Sequence, residues 1–383
     1  MQRGFWRVGA AVLIALLLPL LAYGGLRAVR WAEWQSVGDA GVVLVEQVET
    51  RGVAHALFVR GRDASAPLLL FLPGGPGESA VPYSAEFTDR LQDHFVVAHA
   101  EFGVGRGEQY GDAPTLEAYT ADVEAVVDRL RAEFGDRRVL LVGNSLGSVH
   151  ALRIAQRSPG KVSGVVTVGQ TVDWPEGSAL SNAELRMRAL AAGDVATAEA
   201  VAALPQTLTL ADDPLMIDFA AVAKQRELLR RYGMERVADR HVPQARPLTT
   251  LTTPTHSPRE ACNLMWEEGS LCALLAPHPN WWAQWNEVIV GVLAFDARTD
   301  VPSLAVPYLA IAGTEDWICP AALVAEYERT LSAPSKSIAL IEGAGHYTHL
   351  DAPEQFQTAV LAFARKNGLL PNQQGTEAGA SRP

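Results

Sequence analysis

Short, almost unbroken apolar runs recur along this chain and predict its architecture. Val42–Glu49 and Val53–Arg60, separated by a turn at Thr50–Gly52, read as an antiparallel pair of strands. Pro67–Leu72, Phe95–Ala100, Arg138–Gly143, Val162–Val168, Val306–Ala312 and Lys336–Ile341 are near-continuous apolar runs, as expected of parallel strands covered on both faces. Residues 115–134 instead place Leu116, Tyr119, Val123, Val126, Leu130 and Phe134 at steps of three and four, an amphipathic helical stripe. Strands alternating with helices predict a doubly wound, mostly parallel α/β sheet.

The alternation stops between about 174 and 300, where helix-like patterns at 178–192, 194–204, 214–232 and 280–295 are broken by prolines. The simplest layout is one sheet domain in two parts, 31–173 and 303–366, with 174–302 inserted as a helical cap over the sheet's carboxyl edge. Residues 367–383 are small and polar, and read as a flexible tail.

The first thirty residues form a separate unit. Val8 to Leu26 is a run of 19 uncharged residues, about 28 Å long as a helix and close to the thickness of a hydrocarbon core. Arg3 and Arg7 precede it, as in a segment whose amino end stays in the cytoplasm. Either it is cleaved after Ala22-Tyr23-Gly24 as a signal peptide, or it is retained as a membrane anchor with Arg27, Arg30, Trp31 and Trp34 at the far interface. Both readings export the rest of the chain, to the periplasm or the outside of the cell.

Charge and cysteine content narrow the function. The 383 residues carry a net charge of −11, and four arginines with no acid fall in the first thirty, which leaves residues 31–383 at −15. Such a surface repels phosphate backbones and argues against a nucleic-acid role. Cys262, Cys272 and Cys319 are too few for a zinc cage or an iron–sulfur cluster, and no cofactor is expected. In an oxidising compartment Cys262 and Cys272 can pair and leave Cys319 free; the other reading is three reduced thiols.

Gly143-Asn144-Ser145-Leu146-Gly147 is a G-x-S-x-G pentapeptide at a predicted strand-to-helix junction, the setting of a nucleophile elbow. Two later strands end in Thr314-Glu315-Asp316 and in Glu342-Gly343-Ala344-Gly345-His346. The order Ser145, Asp316, His346 suits a serine nucleophile, a base that takes its proton and an acid that orients the base. Glu315 as the acid, His349 as the base and Ser145 as a plain helix cap are the alternatives. Leu146 N–H and Gly75 N–H, in Gly74-Gly75-Pro76-Gly77 after the third strand, are the candidate oxyanion donors.

Gly74-Gly75-Pro76-Gly77, Gly103-Val104-Gly105-Arg106 and the elbow together resemble the proline iminopeptidase branch of the α/β-hydrolase superfamily, over about 41–173 and 303–366. The resemblance implies an α/β-hydrolase fold, Ser145 as nucleophile, Asp316 as acid, His346 as base and Gly75 with Leu146 as oxyanion donors. It also implies release of an N-terminal residue from short peptides, with cap carboxylates on the free amine. Pro73 stands where the family usually has His, and Ala100-Glu101-Phe102 where it has Asp-Gln-Arg, which weakens the case for proline specificity. Trp266-Glu267 resembles the family's cap Trp-Glu, so Glu267, helped by Glu268 and Trp266, is the expected amine site; an ordinary solvated charge pair is the alternative.

The expected function is therefore a membrane-linked, exported serine hydrolase that works through an acyl-enzyme on short peptides or aminoacyl amides. An esterase or lipase-like hydrolase on the same triad is the first rival, since Trp266, Trp281, Trp282 and Trp285 suit an apolar acyl group as well as a prolyl ring. A catalytically dead binding module is the second.

Overall fold

The computed structural model describes residues 2–204, 219–234, 246–265, 272, 276 and 281–371, and within these the side chains other than those of 2–14, 16, 219, 220, 281 and 282. Among the described residues, eight strands form one sheet: β1 (Val42–Thr50), β2 (Val53–Gly61), β3 (Leu68–Leu72), β4 (Val96–Glu101), β5 (Val139–Asn144), β6 (Val162–Val168), β7 (Tyr308–Gly313) and β8 (Lys336–Ile341). Their spatial order is β1-β2-β4-β3-β5-β6-β7-β8, antiparallel at β1–β2 and β2–β4 and parallel from β4 onward.

β3 shows why the apolar runs form the centre of the sheet. Its Leu68, Leu70 and Leu72 join a core with the helices Leu116–Glu133 and Leu146–Arg157, while Leu69 and Phe71 join a second core with Phe87 and the helix Pro353–Lys366. Because side chains alternate across a strand, only an unbroken apolar run can fill cores on both faces. The mostly parallel, doubly wound α/β sheet is as expected, and each strand lies within two residues of its sequence reading. Val306 and Pro307 precede β7 rather than opening it, since proline has no N–H for the ladder.

Between β6 and β7 lie the helices Trp174–Ala191, Val195–Ala202, Phe219–Arg231, Pro247–Leu251, Pro258–Leu264 and Trp281–Leu293. Leu185, Val201, Leu228, Leu229 and Met234 form a small core of their own there. Trp281–Leu293 instead packs on Leu116–Glu133 of the sheet layer. Cys262 and Cys272 are joined by a disulfide, with Cα atoms 4.7 Å apart, and Cys319 is a free thiol.

Gln2–Gln35 is one helix and runs past residue 30 onto the body of the protein. Tyr23 Oη donates to Leu251 O at 2.9 Å, Arg27 to Thr253 O at 3.0 Å and His256 O at 2.5 Å, and Arg30 to Thr249 O at 3.1 Å. Arg27 and Arg30, expected at a membrane interface, thus satisfy carbonyls of the segment 249–256. The expected membrane span is not shown: among the described residues no helix is long and apolar enough to cross a membrane, and the side chains of 8–14 and 16 in the span lie outside them. The tail is described only to residue 371.

Candidate active site

Ser145 stands between β5 and the helix Leu146–Arg157, as the residue that caps the helix, at φ 50° and ψ −121°. A left-handed backbone at a non-glycine residue costs about 1–3 kcal/mol and persists only where the surroundings impose it. They do so by close packing. A methyl on Gly143 would meet the Gly147 carbonyl, and one on Gly147 would meet the carbonyls of Leu72 and Pro73. Ser145 N–H donates to Val168 O at 3.0 Å, which hangs the turn on the neighbouring strand. The result is a serine raised over the carboxyl edge of the sheet.

Asp316 and His346 reach the same edge from the ends of β7 and β8. His346 Nδ1 lies 3.0 Å from Asp316 Oδ2 and 3.2 Å from Oδ1, and both residues are buried. Asp316 Oδ1 also accepts the N–H groups of Ile318 at 2.9 Å and Cys319 at 2.8 Å, so the carboxylate is held in one orientation. Burial alone would lower the His346 pKa; the Asp316 carboxylate outweighs it, Cys319 adds to this, and the pKa stands well above its ordinary value. The tie to the elbow runs through Asn144, whose Nδ2 donates to Val168 O at 3.0 Å and to His346 O at 3.4 Å. Glu315 points elsewhere, 3.6 Å from Arg188. His349 is buried among Phe71, Phe87 and Phe356.

A cavity of about 170 Å³ opens at Ser145 and is bordered by both oxyanion candidates, Gly75 and Leu146. Gly75 has φ 108°, a backbone open to glycine and strained for other residues. Trp174, Ile289, Val292 and Ile318 make an apolar wall, and Pro76, Thr171, Cys319 and Arg226 complete the lining. Trp285 does not belong to this wall: it is fully buried against Tyr110 and Tyr119, because its indole fills the gap between Trp281–Leu293 and the sheet-layer helix. Trp266, Glu267 and Glu268 lie outside the described residues, as do the side chains of Trp281 and Trp282.

Two charged residues beside Ser145 escaped the sequence reading. Glu78 directly follows the Gly74–Gly77 turn; its Oε1 accepts Tyr347 Oη at 2.7 Å. A methyl on Gly74 would lie 3.0 Å from Glu78 Oε2 and 3.1 Å from Ser145 Cβ, so the Glu78 carboxylate and Ser145 flank one point. A carboxylate next to a glycine turn aimed at developing negative charge was the available signal. Arg226, one step off the apolar stripe of its helix, offered none.

Comparison with known proteins bears on the fold and the family. A family model described as alpha/beta hydrolase fold matches residues 67–353, well over half of the chain. A probable aminopeptidase of Bacillus subtilis, YbaC, is 24% identical over 335 residues, 85% of this chain and 97% of that protein. A probable proline iminopeptidase of Streptomyces coelicolor is 33% identical over 127 residues, 32% of this chain and 37% of that protein. Among solved structures, proline iminopeptidase of Mycobacterium smegmatis superposes with a TM-score of 0.54 at 20% identity, covering 85% of this chain and 99% of that one. A membrane phospholipase A superposes with a TM-score of 0.57 at 18% identity, covering 96% and 99%. At such identities the two structures share the fold alone. With the family matched from β3 through β8, including the elbow and the loops that carry Asp316 and His346, the chain belongs to the alpha/beta hydrolase fold family and is a hydrolase similar to proteins named aminopeptidase and proline iminopeptidase.

Proposed function

We propose that this protein is a serine aminopeptidase that removes the first residue of short peptides or aminoacyl amides through an acyl-enzyme. Ser145 Oγ attacks the carbonyl as His346 takes its proton, and Gly75 and Leu146 N–H groups receive the charge that develops on the carbonyl oxygen. His346 then gives the proton to the leaving amine. In the second half His346 takes a proton from water as the water oxygen attacks the acyl-enzyme carbonyl, then gives that proton to the departing Ser145 Oγ, which frees the acid product and restores both residues. Asp316 keeps the imidazole in the tautomer that faces the serine.

The observation that carries the peptidase reading over an esterase is Glu78, a carboxylate beside the nucleophile. An exopeptidase has to favour a free ammonium, and a desolvated ammonium needs a carboxylate partner. Glu267 and Glu268 are further candidates for that contact. The test compares alanyl- and prolyl-p-nitroanilides with their N-acetylated forms in wild type, Glu78→Gln and Glu267→Gln. The expected result is turnover of the free amines only, lost by about 30- to 1000-fold in the variant that removes the amine ligand. Equal rates on free and blocked substrates would return the site to the esterase reading, which the apolar wall favours.

We also propose that residues 8–26 are retained as a membrane anchor, with the catalytic part exported. The run of 19 uncharged residues and the contacts of Tyr23, Arg27 and Arg30 with residues 249–256 support this. The full chain is then expected in the membrane fraction after an alkaline carbonate wash; recovery in the wash would overturn the anchor.

A further inference from the structure

Arg226 is the one charged side chain among the described residues that line the cavity at Ser145. Its position follows from its helix. On Phe219–Arg231, Gln225, Leu228 and Leu229 turn one stripe into the insertion: Gln225 donates to Ser178 Oγ at 2.9 Å and Asn182 Oδ1 at 2.7 Å, and both leucines are buried in the small core. A residue one step off that stripe points about 100° away from Gln225, which turns Arg226 toward Trp174, Ile318 and the nucleophile.

One nitrogen of this guanidinium, Nη1, is buried and has no hydrogen-bond partner among the described residues. The rest of the cavity lining is apolar or uncharged, and Glu78 is hydrogen-bonded to Tyr347. A guanidinium cannot relieve its burial by losing its proton, since it stays charged at any ordinary pH. Its planar fork matches a carboxylate, and a low-dielectric surrounding strengthens that contact.

We propose that Arg226 recognises a carboxylate on the substrate and so sets its specificity. This deepens the aminopeptidase reading and rests on it: the favoured substrates are very short peptides, above all dipeptides, whose free C-terminal carboxylate reaches Arg226. Longer or C-terminally blocked peptides lack that carboxylate within reach.

The test measures kcat/KM for Pro-Ala and Ala-Ala against their C-terminal amides in wild type, Arg226→Gln and Arg226→Lys, with melting temperatures recorded for each. Wild type is expected to prefer the free acids by about 10- to 100-fold, Arg226→Gln to bring the ratio close to one and Arg226→Lys to keep part of it. No preference in wild type, or a preference that survives in folded Arg226→Gln, overturns the proposal. If no peptide is cleaved, the aminopeptidase reading fails, and Arg226 is judged on mono-p-nitrophenyl glutarate against p-nitrophenyl valerate. A preference for the glutarate that Arg226→Gln removes supports a carboxylate site of an esterase; equal rates in wild type overturn it.

Discussion

Glu101 and His256, 155 residues apart in sequence, meet with His256 Nε2 2.9 Å from Glu101 Oε1, and neither side chain reaches solvent. Glu101 ends β4 and also accepts Ser79 Oγ and Arg106 N–H, the latter at 2.9 Å. One carboxylate thereby joins the loop after β3, the loop after β4 and the segment that Arg27 of the first helix holds through His256 O. Glu101→Ala strands the partners of a buried charge and is expected to lower unfolding free energy by about 3–5 kcal/mol in urea titrations. A loss under 1 kcal/mol would mean that water replaces the carboxylate at little cost.

Ser145 has a strained backbone at the position proposed for the nucleophile, and the two properties separate on substitution. Ser145→Ala is expected to abolish turnover and fluorophosphonate labelling with little change in melting temperature. Ser145→Gly also removes activity but relaxes φ 50° and is expected to stabilise the protein by about 1 kcal/mol. A labelled Ser145→Ala protein would move the nucleophile elsewhere.

The raised pKa of His346 fixes the sign of the pH–rate profile. The imidazolium cannot accept the serine proton, so kcat/KM is expected to rise with pH through a midpoint above 6.5 and level off beyond it. Asp316→Asn is expected to cut kcat by about three to four orders of magnitude and to move the midpoint of the residual activity to lower pH. A midpoint that stays put in this variant would show that Asp316 does not supply the field.

Buried histidines make acid stability a second titration. Burial pushes His55 and His99 down to about 4, and His150 and His349 down to about 3. Each is neutral in the fold and takes up a proton when unfolded below pH 6.5, so the unfolded state binds more protons in that window. The contribution of these four histidines is therefore complete above pH 6.5, falls by about 1.4 kcal/mol per pH unit for each histidine, and stops falling below the folded values. His346, raised in the fold, acts in the opposite direction above pH 6.5. Glu101 acts in the same direction at lower pH: burial would raise its pKa, but His256 and its hydrogen bonds lower it, and its contribution is lost as it protonates. Urea midpoints from pH 8 to 4 check this; a flat profile between 6.5 and 5 would show the histidines to be solvated. His150→Phe would flatten part of the slope.

Much of this protein is written locally. The apolar runs specify strands buried on both faces, the step of three and four specifies Leu116–Glu133, and Gly143 and Gly147 specify a turn that only close backbone packing demands. Ser145, Asp316 and His346 were legible because each closes a strand pattern, and chain order alone sets them along one sheet edge. What the tertiary structure decided are relations between distant segments. Asp316 faces His346 while its neighbour Glu315 faces Arg188, a choice made by which way the chain turns after β7. Trp285 became core rather than pocket, Glu101 found His256, and Arg226 came to line the cavity at Ser145 from a helix about eighty residues away in sequence. Periodicity and turn chemistry encode the local conformation because sterics and burial act over a few residues. The partner of a buried charge is set by packing across the whole chain, and no spacing in the sequence records it.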